Sequence, residues 1–298
     1  MVLVKKQVAF YPGCIMQTEQ YAYELSLREL LPLFDIDLVD IKGFSCCGEP
    51  LKSVNQMLSL SLAARNMALI ESHGLDAFVP CPMCHLAMSE CKRILDSDEG
   101  MKQRINAFLQ DEGLTYTGKA TLFSILDMFH DVIGLDQVKN RIKKPLPPLK
   151  MATHYGCHLI RPSEIGRPDD AEHPQKMEAI LTVIGAKPED YPEKLDCCGA
   201  LLNANLPESA LTKTGQKLQK VQEQGFQAFV DVCPWCHRQF DARQHKAGEI
   251  VATKLNVPVV YLTQLIGLAC GISEKKLGLH LNTSPVASLD LGGKAHDQ

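Results

Sequence analysis

The sequence predicts an α/β chain made of two duplicated domains, each a small parallel sheet with flanking helices. Three observations carry this reading. A cysteine pattern occurs twice, strand-like and helical runs alternate in the same order in both halves, and 298 residues suit two domains of about 150 each. The first pattern is Cys14, then Cys46-Cys47-Gly48, then Cys81-Pro82-Met83-Cys84-His85. The second is Cys157, then Cys197-Cys198-Gly199, then Cys233-Pro234-Trp235-Cys236-His237. The offset between copies is 143 at the single cysteine, 151 at the doublet and 152 at the CxxC. An insertion in the second copy, around 161–174, accounts for most of the change. The flanks repeat as well: Gly74 to Val79 answers Gly225 to Val230. A repeat of this length fixes the architecture before any local reading.

Each element follows from its pattern. Val8 to Tyr11 is a short apolar strand running into Cys14, and residues 19–34 carry Leu25, Leu27, Leu30 and Leu31 at helical spacing. Ile36 to Ile41 alternates apolar and acidic residues, as a strand does, and delivers Cys46-Cys47. Ser53 to His73 reads as a long helix stopped by Gly74. Ala77 to Val79 is a strand leading to the CxxC, with a helix from about Leu86. A last strand near Ala120 to Phe123 feeds a helix through Gly134. In the second half the strands are Met151 to His154, a weak one near Lys194, Ala228 to Val232 and Pro258 to Leu262. The helices are Gln175 to Ile184, Pro207 to Gln224 and Arg238 to Leu255. Pro145, Pro147 and Pro148 in the basic stretch Asn140 to Lys150 mark a solvated linker. The domains are therefore 1–144 and 145–280, with 281–298 a flexible tail rich in small and polar residues.

Composition narrows the function. The chain is 45% hydrophobic and 22% charged, ordinary for a soluble globular protein. A net charge of −4 gives no bulk positive field for nucleic acid. The most apolar run, Val257 to Ile272, is broken by Thr263 and Gln264. It falls short of the roughly 20 residues a spanning helix needs. The first residues, MVLVKKQVAFY, have the wrong order for a secretory signal. A cytoplasmic protein without a transmembrane segment is expected, and its twelve cysteines are then reduced thiols and not a disulfide framework.

Each repeated cysteine cluster lies just after a strand and just before a helix. In a parallel sheet those positions meet at the carboxyl edge, where ligands bind. Five thiols thus converge in each half. Core packing suits Cys91 and Cys270, which lie outside the repeat, but not vicinal doublets. Structural zinc takes four ligands, and five is one too many. Thioredoxin-like exchange leaves Cys14, the doublet and their repeats unexplained, and c-type haem attachment at CxxCH is expected outside the cytoplasm. Iron–sulfur clusters, whose natural ligands are thiolates, remain.

The string Cys-x31-Cys-Cys-Gly-x32-Cys-x2-Cys and its repeat Cys-x39-Cys-Cys-Gly-x33-Cys-x2-Cys closely resemble the cysteine-rich CCG domain. From Phe10 to about Leu279 the chain resembles the B subunit of heterodisulfide reductase. That resemblance implies two noncubane [4Fe–4S] clusters. One would use Cys14, Cys46, Cys47, Cys81 and Cys84, and the other Cys157, Cys197, Cys198, Cys233 and Cys236. It implies a disulfide oxidoreductase, the disulfide entering between the clusters, and substrates such as the mixed disulfide of coenzymes M and B or an analogous disulfide or persulfide. Gly48-Glu49-Pro50 after the first doublet departs from the methanogen pattern, which leaves the particular disulfide open. Two partners are implied: a ferredoxin-like subunit with cubane [4Fe–4S] clusters, like the C component of such complexes, and a flavin-bearing subunit like their A component. The chain itself has no CxxCxxC run.

His85, His154, His158 and His237 flank cluster cysteines, and His154 or His158 is the candidate proton donor to a departing thiolate. Trp235 suits shielding. Lys52 and Arg161 are the basic residues nearest in sequence to the expected edge and the candidates to steer an anionic disulfide. Two other functions stay open: a CCG-domain electron-transfer subunit of a 2-hydroxyacid- or quinone-linked oxidoreductase, and a zinc-stabilised scaffold.

Overall fold

The computed structural model describes residues 6–291. The first half runs β1 (Lys6–Phe10), α1 (Tyr21–Leu30), β2 (Ile36–Asp40), α2 (Gln56–Ser72), β3 (Ala77–Phe78), α3 (Pro82–Ser97), α4 (Glu99–Leu109) and β4 (Leu122–Phe123). A π-helical turn, Asp127–Gly134, and α5 (Leu135–Arg141) close it. The second half runs β5 (Lys150–His154), α6 (Cys157–Ile160), α7 (Lys176–Val183), β6 (Lys187–Pro188), α8 (Pro207–Glu223), β7 (Ala228–Asp231) and α9 (Pro234–His237). It ends with α10 (Gln244–Ile250), β8 (Val259–Tyr261) and α11 (Leu262–Ala269). All strand pairs are parallel, and the two sheets have the same order, β2-β1-β3-β4 and β6-β5-β7-β8. The α/β class and the duplicated parallel sheets are as the sequence predicts.

Both sheets reverse direction at the same place. The chain moves from the first strand to one neighbour and then returns to the other side. The loops leaving β1 and β3, or β5 and β7, therefore diverge around a crevice at the carboxyl edge. Proline starts three of the helices, Pro82, Pro207 and Pro234, where its fixed φ suits the first turn and its missing N–H costs nothing. Asn55 caps α2 by accepting from Leu58 N at 3.0 Å.

One apolar core joins the halves. It includes Phe10, Leu27 and Phe129 of the first half and Tyr155, Ile180 and Leu265 of the second. Helices α1 and α11 cross the junction, with Tyr23 stacked on Tyr261 at 4.3 Å and 3° and the Ser26 and Thr263 hydroxyls 2.6 Å apart. Each thiol set has its own apolar backing, from α2 and α3 in the first half and from Phe229 and Phe240 in the second.

Several local expectations are corrected. The helix expected from Leu86 already begins at Pro82, so Cys84 and His85 are helical. The helix expected over 19–34 ends at Leu30 and tightens into a 3-10 turn containing Pro32. No strand forms at Lys194; the pairing strand is Lys187–Pro188. The Lys194 side chain is drawn inward to Glu178 (2.6 Å) and the Pro174 carbonyl (3.0 Å), which holds that segment in a turn. The stretch 140–150 is pinned and not a solvated linker. Lys143 and Lys144 N donate to the Ala269 carbonyl at 2.9 and 3.0 Å, and Leu146 is buried. The tail expected to be flexible is fastened as far as Leu291. Asn282 donates to the Val259 carbonyl at 2.8 Å, and Thr283 and Ser284 N donate to Asp241 at 2.8 and 2.7 Å. Residues 292–298 lie outside the described residues.

Candidate metal centres

The repeat places its thiols by the same means in each half. Cys14 follows β1 and Cys157 follows β5; the doublets follow β2 and β6. Cys81 and Cys233 stand just before the first turn of α3 and α9, and Cys84 and Cys236 lie in that turn. Gly48 and Gly199 have φ of 88° and 85°, the left-handed region open to glycine. A Cβ there would lie 2.5 Å from the Ser59 carbonyl oxygen in α2, or 2.6 Å from that of Ala210 in α8. These glycines let each doublet loop lie against its helix. Gly13 does the same for the first loop, since its Cβ would sit 2.9 Å from Cys84 Sγ.

Five sulfurs interact in each half. Cys46 with Cys47, Cys47 with Cys84, and Cys81 with Cys84 are hydrogen-bonded, and Cys14 feels Cys81 and Cys47. In the second half Cys157 bonds Cys197, Cys197 bonds Cys198, Cys198 bonds Cys236, and Cys233 bonds Cys236. Cys47 and Cys197 are pushed well down because their neighbours' thiols donate to them, while Cys46, Cys84, Cys157, Cys198 and Cys236 are pushed up. Each set therefore shares protons that a metal centre would displace. The donor chemistry, five soft thiolates with one in each doublet already biased to lose its proton, fits an iron–sulfur group. A ring nitrogen of His154 and the sulfurs of Cys198 and Cys236 lie within 4.8 Å of one another. His154 Nε2 is buried with no partner among the described residues. Lys217 donates to His154 Nδ1 at 2.9 Å. Burial draws this lysine down to about 8, opposed by Cys198 and Asp196.

The two sets face a common junction. Helix α3, carrying Cys84, packs on α6, which begins at Cys157. Cys14 and Cys46 are exposed on the first set and Cys197 on the second, so neither set is sealed. Cys14 and Cys46 line a cavity of about 600 Å³ with Tyr11, Phe44, Arg28 and Asp40. Tyr23 Oη donates to the Val232 carbonyl at 2.9 Å and lies 3.4 Å from that of Pro80. Those are the residues just before Cys233 and Cys81. Trp235 packs against the apolar backing of both sets.

The candidate side residues fare unequally. His158 is half-buried, and burial pushes it below its ordinary value. His85 is buried, drawn down to about 3 by burial and then by Arg167. His237 stacks on Tyr261 at 3.7 Å and bonds Asp231 at 3.2 Å, a packing role. Cys91 and Cys270 are buried in the core, as expected. Lys52 is an exposed partner of Glu90, yet its charge reaches His158, so it stands at the junction rim. Arg161 is turned to Glu172 (3.3 Å) and the Ala171 carbonyl (3.2 Å) within the insertion.

Sequence reasoning missed Arg167. Its Nη2 donates to the His158 carbonyl at 2.6 Å and lies 3.2 Å from His85 Nδ1, so it spans residues next to Cys157 and Cys84. Its Nε and Nη1 are buried without partners among the described residues. The insertion has no counterpart in the first half, so the repeat carries no signal for it. Lys217 was also missed, although its offset of 151 from Asn66 in the repeat could have shown it.

Comparisons with known proteins match both halves of the chain. The cysteine-rich domain family CCG matches residues 8–89 and 151–241. The chain is 33% identical over 287 residues to the 8-methylmenaquinol:fumarate reductase membrane anchor subunit of Wolinella succinogenes, covering 96% of this chain and 100% of that one. It is 34% identical over 281 residues to the B subunit of the ferredoxin/F420H2-dependent CoB-CoM heterodisulfide reductase of Methanosarcina acetivorans, covering 93% of each. A solved structure of a hypothetical protein from Helicobacter pylori superposes with a TM-score of 0.75 at 17% identity. It covers 94% of this chain, which spans about half (52%) of that one. Among the described residues no helix is long and apolar enough to cross a membrane. With the family pattern matched in both halves and all ten repeated thiols gathered into two sets, the chain belongs to the cysteine-rich CCG domain family and is a relative of the heterodisulfide reductase B subunit.

Proposed function

We propose that this chain is the catalytic iron–sulfur subunit of a heterodisulfide reductase-like complex. Each five-thiol set would hold one noncubane [4Fe–4S] cluster. The reaction balances as one disulfide, two electrons and two protons giving two thiols, and it can run in reverse. Bound there, the clusters would supply the electrons for breaking the sulfur–sulfur bond. The chain's own residues do the rest. The observation that carries the reading is the pair of five-thiol sets on packed helices, with Arg167 bonded to residues next to both. A guanidinium with two buried nitrogens unpaired among the described residues is costly unless an anion completes it. Arg167 thus takes the anchoring role first expected of Lys52 and Arg161, with Lys52 at the rim.

His158 is the proposed proton donor, since its ring feels the charge of Cys197 and part of its surface is open. His154 is fully buried and serves the second set from behind. Electrons would arrive from a ferredoxin-like subunit, supplied by a flavin-bearing one, on the cytoplasmic side.

A second reading has specific support. The relative from Wolinella succinogenes is named for quinol:fumarate reduction and matches as well as the heterodisulfide reductase relative does. In that reading the chain passes electrons within a quinone-linked reductase and no disulfide enters. One experiment separates the two. The anaerobic holoprotein, given reduced viologen, should cleave 3,3′-dithiodipropionate, with one disulfide consumed per two viologens. Arg167→Met should raise KM at least about tenfold, the scale of a charged hydrogen bond, with iron unchanged. Redox-active clusters without disulfide turnover would favour the second reading.

A further inference from the structure

Each doublet loop is held from behind by one helix side chain, and the two side chains differ. Asn66 of α2 and Lys217 of α8 are separated by 151 residues, the offset of the doublets themselves. Asn66 accepts from Ser45 N at 2.9 Å and donates to the carbonyls of Ser45 and Cys46 at 3.2 and 3.1 Å. Lys217 Nζ donates to the carbonyls of Lys194 and Asp196 at 2.9 and 3.0 Å and to His154 Nδ1 at 2.9 Å. An ammonium has three donors and no acceptor, so these three acceptors satisfy a charged lysine completely. The same bond sets the imidazole tautomer: Nδ1 accepts, and Nε2 carries the hydrogen.

That Nε2–H has no partner among the described residues, and the His154 ring stands beside the sulfurs of Cys198 and Cys236. Three residues before the first cysteine, where the second half has His154, the first half has Tyr11. Tyr11 gives its hydroxyl hydrogen to the Ser45 carbonyl at 2.7 Å, and Asn66 lies behind it at 3.4 Å. The first set therefore has a neutral pair whose hydroxyl is spent on the backbone. The second has a buried cation and a free N–H.

We propose that Lys217 and His154 make the second centre the more easily reduced of the two. The proposal rests on the iron–sulfur reading above. Reduction adds negative charge, which a nearby cation and a hydrogen bond to sulfur both stabilise. Lys217 is fully buried, where charge interactions are weakly screened. The two-centre chain is then directional, with the second half the favoured resting place for an electron.

An EPR-monitored potentiometric titration of the anaerobic full-length holoprotein tests this. The wild type should show two separate reduction waves. Lys217→Gln keeps an N–H donor and removes the charge. It should lower the higher wave by at least about 59 mV, a tenfold change in a one-electron equilibrium, and leave the lower wave in place. Lys217→Asn, which copies the first half, should act in the same direction. Coincident waves in the wild type, a shift of the lower wave, or no shift would overturn the proposal. If a variant fails to assemble its second centre, the missing wave identifies that centre. Loss of the higher wave supports the proposal, and loss of the lower one contradicts it. A wild type without iron rejects the iron–sulfur reading itself, whereas two iron centres with equal potentials reject only this inference.

Discussion

The two halves have kept the same sheet order and the same five thiols while their supporting side chains have diverged. Both position the doublet with a glycine at positive φ pressed on a helix, and both start the CxxC helix with proline. Behind that shared frame stand Asn66 and Tyr11 in one half, and Lys217 and His154 in the other. The second half also carries the insertion that contributes Arg167. Sulfur placement constrains backbone and loop length, and so the repeat preserves it. The residues around the sulfurs set charge and access, and they can differ without disturbing the frame.

Four perturbations separate what the halves share from what sets them apart. The largest effect belongs to the thiols. Cys47→Ser and Cys198→Ser should each remove one centre and about half the iron while the other half stays loaded, read by iron analysis and EPR of the two variants. Equal loss from both halves in either variant would show that the sets assemble as one unit. Next come the doublet glycines. Gly48→Ala and Gly199→Ala put a Cβ 2.5 and 2.6 Å from a helix carbonyl oxygen at a backbone conformation alanine disfavours. Each should cost about 1–3 kcal/mol or more, seen in denaturant unfolding, with the damage centred on its own half. Similar hydrogen-exchange changes in both halves would mean that the junction, and not the loop, bears the strain.

Tyr23→Phe should be milder. It removes one hydroxyl from the Val232 carbonyl and leaves the stack on Tyr261 intact. A loss of about 1 kcal/mol is expected, measured by the same denaturation midpoint. A loss as large as a truncated core aromatic would show that the hydroxyl positions both CxxC segments. The smallest effect is at Arg161, whose exposed partner is Glu172. Arg161→Ala should change stability by under about 1 kcal/mol and leave KM for an anionic disulfide nearly unchanged, with Lys52→Ala intermediate between it and Arg167→Met. A KM effect at Arg161 equal to that at Arg167 would restore the first expectation.

Most of the frame could be read from the sequence because a repeat reports on itself. The doubled cysteine spacing located both thiol sets, and alternating strand and helix signals put every cluster at a strand's carboxyl end. Short strands were harder: Lys187–Pro188 is only two residues long and has no periodicity. The segment 140–150 and the residues just after Leu281 looked polar and loose, yet backbone donors fasten the first and a single carboxylate, Asp241, fastens Thr283 and Ser284. Their anchors lie far off in sequence. Arg161 and Arg167 sit six residues apart in one insertion; sequence proximity to Cys157 favoured Arg161, whereas Arg167 is the one that bonds across the halves. Which of two arginines reaches across a junction is decided by tertiary packing. His154 was legible as a residue near the thiols, but its lysine partner comes from a helix 63 positions away.

If the proposed function holds, one chain carries two separate five-thiol iron–sulfur centres. Native mass spectrometry of the anaerobically prepared full-length protein counts them. Two mass increments are expected, each equal to one four-iron, four-sulfide cluster, for about eight iron atoms per chain, with one increment lost in Cys198→Ser. A chain carrying zinc, or a single increment that either cysteine substitution abolishes, would contradict it.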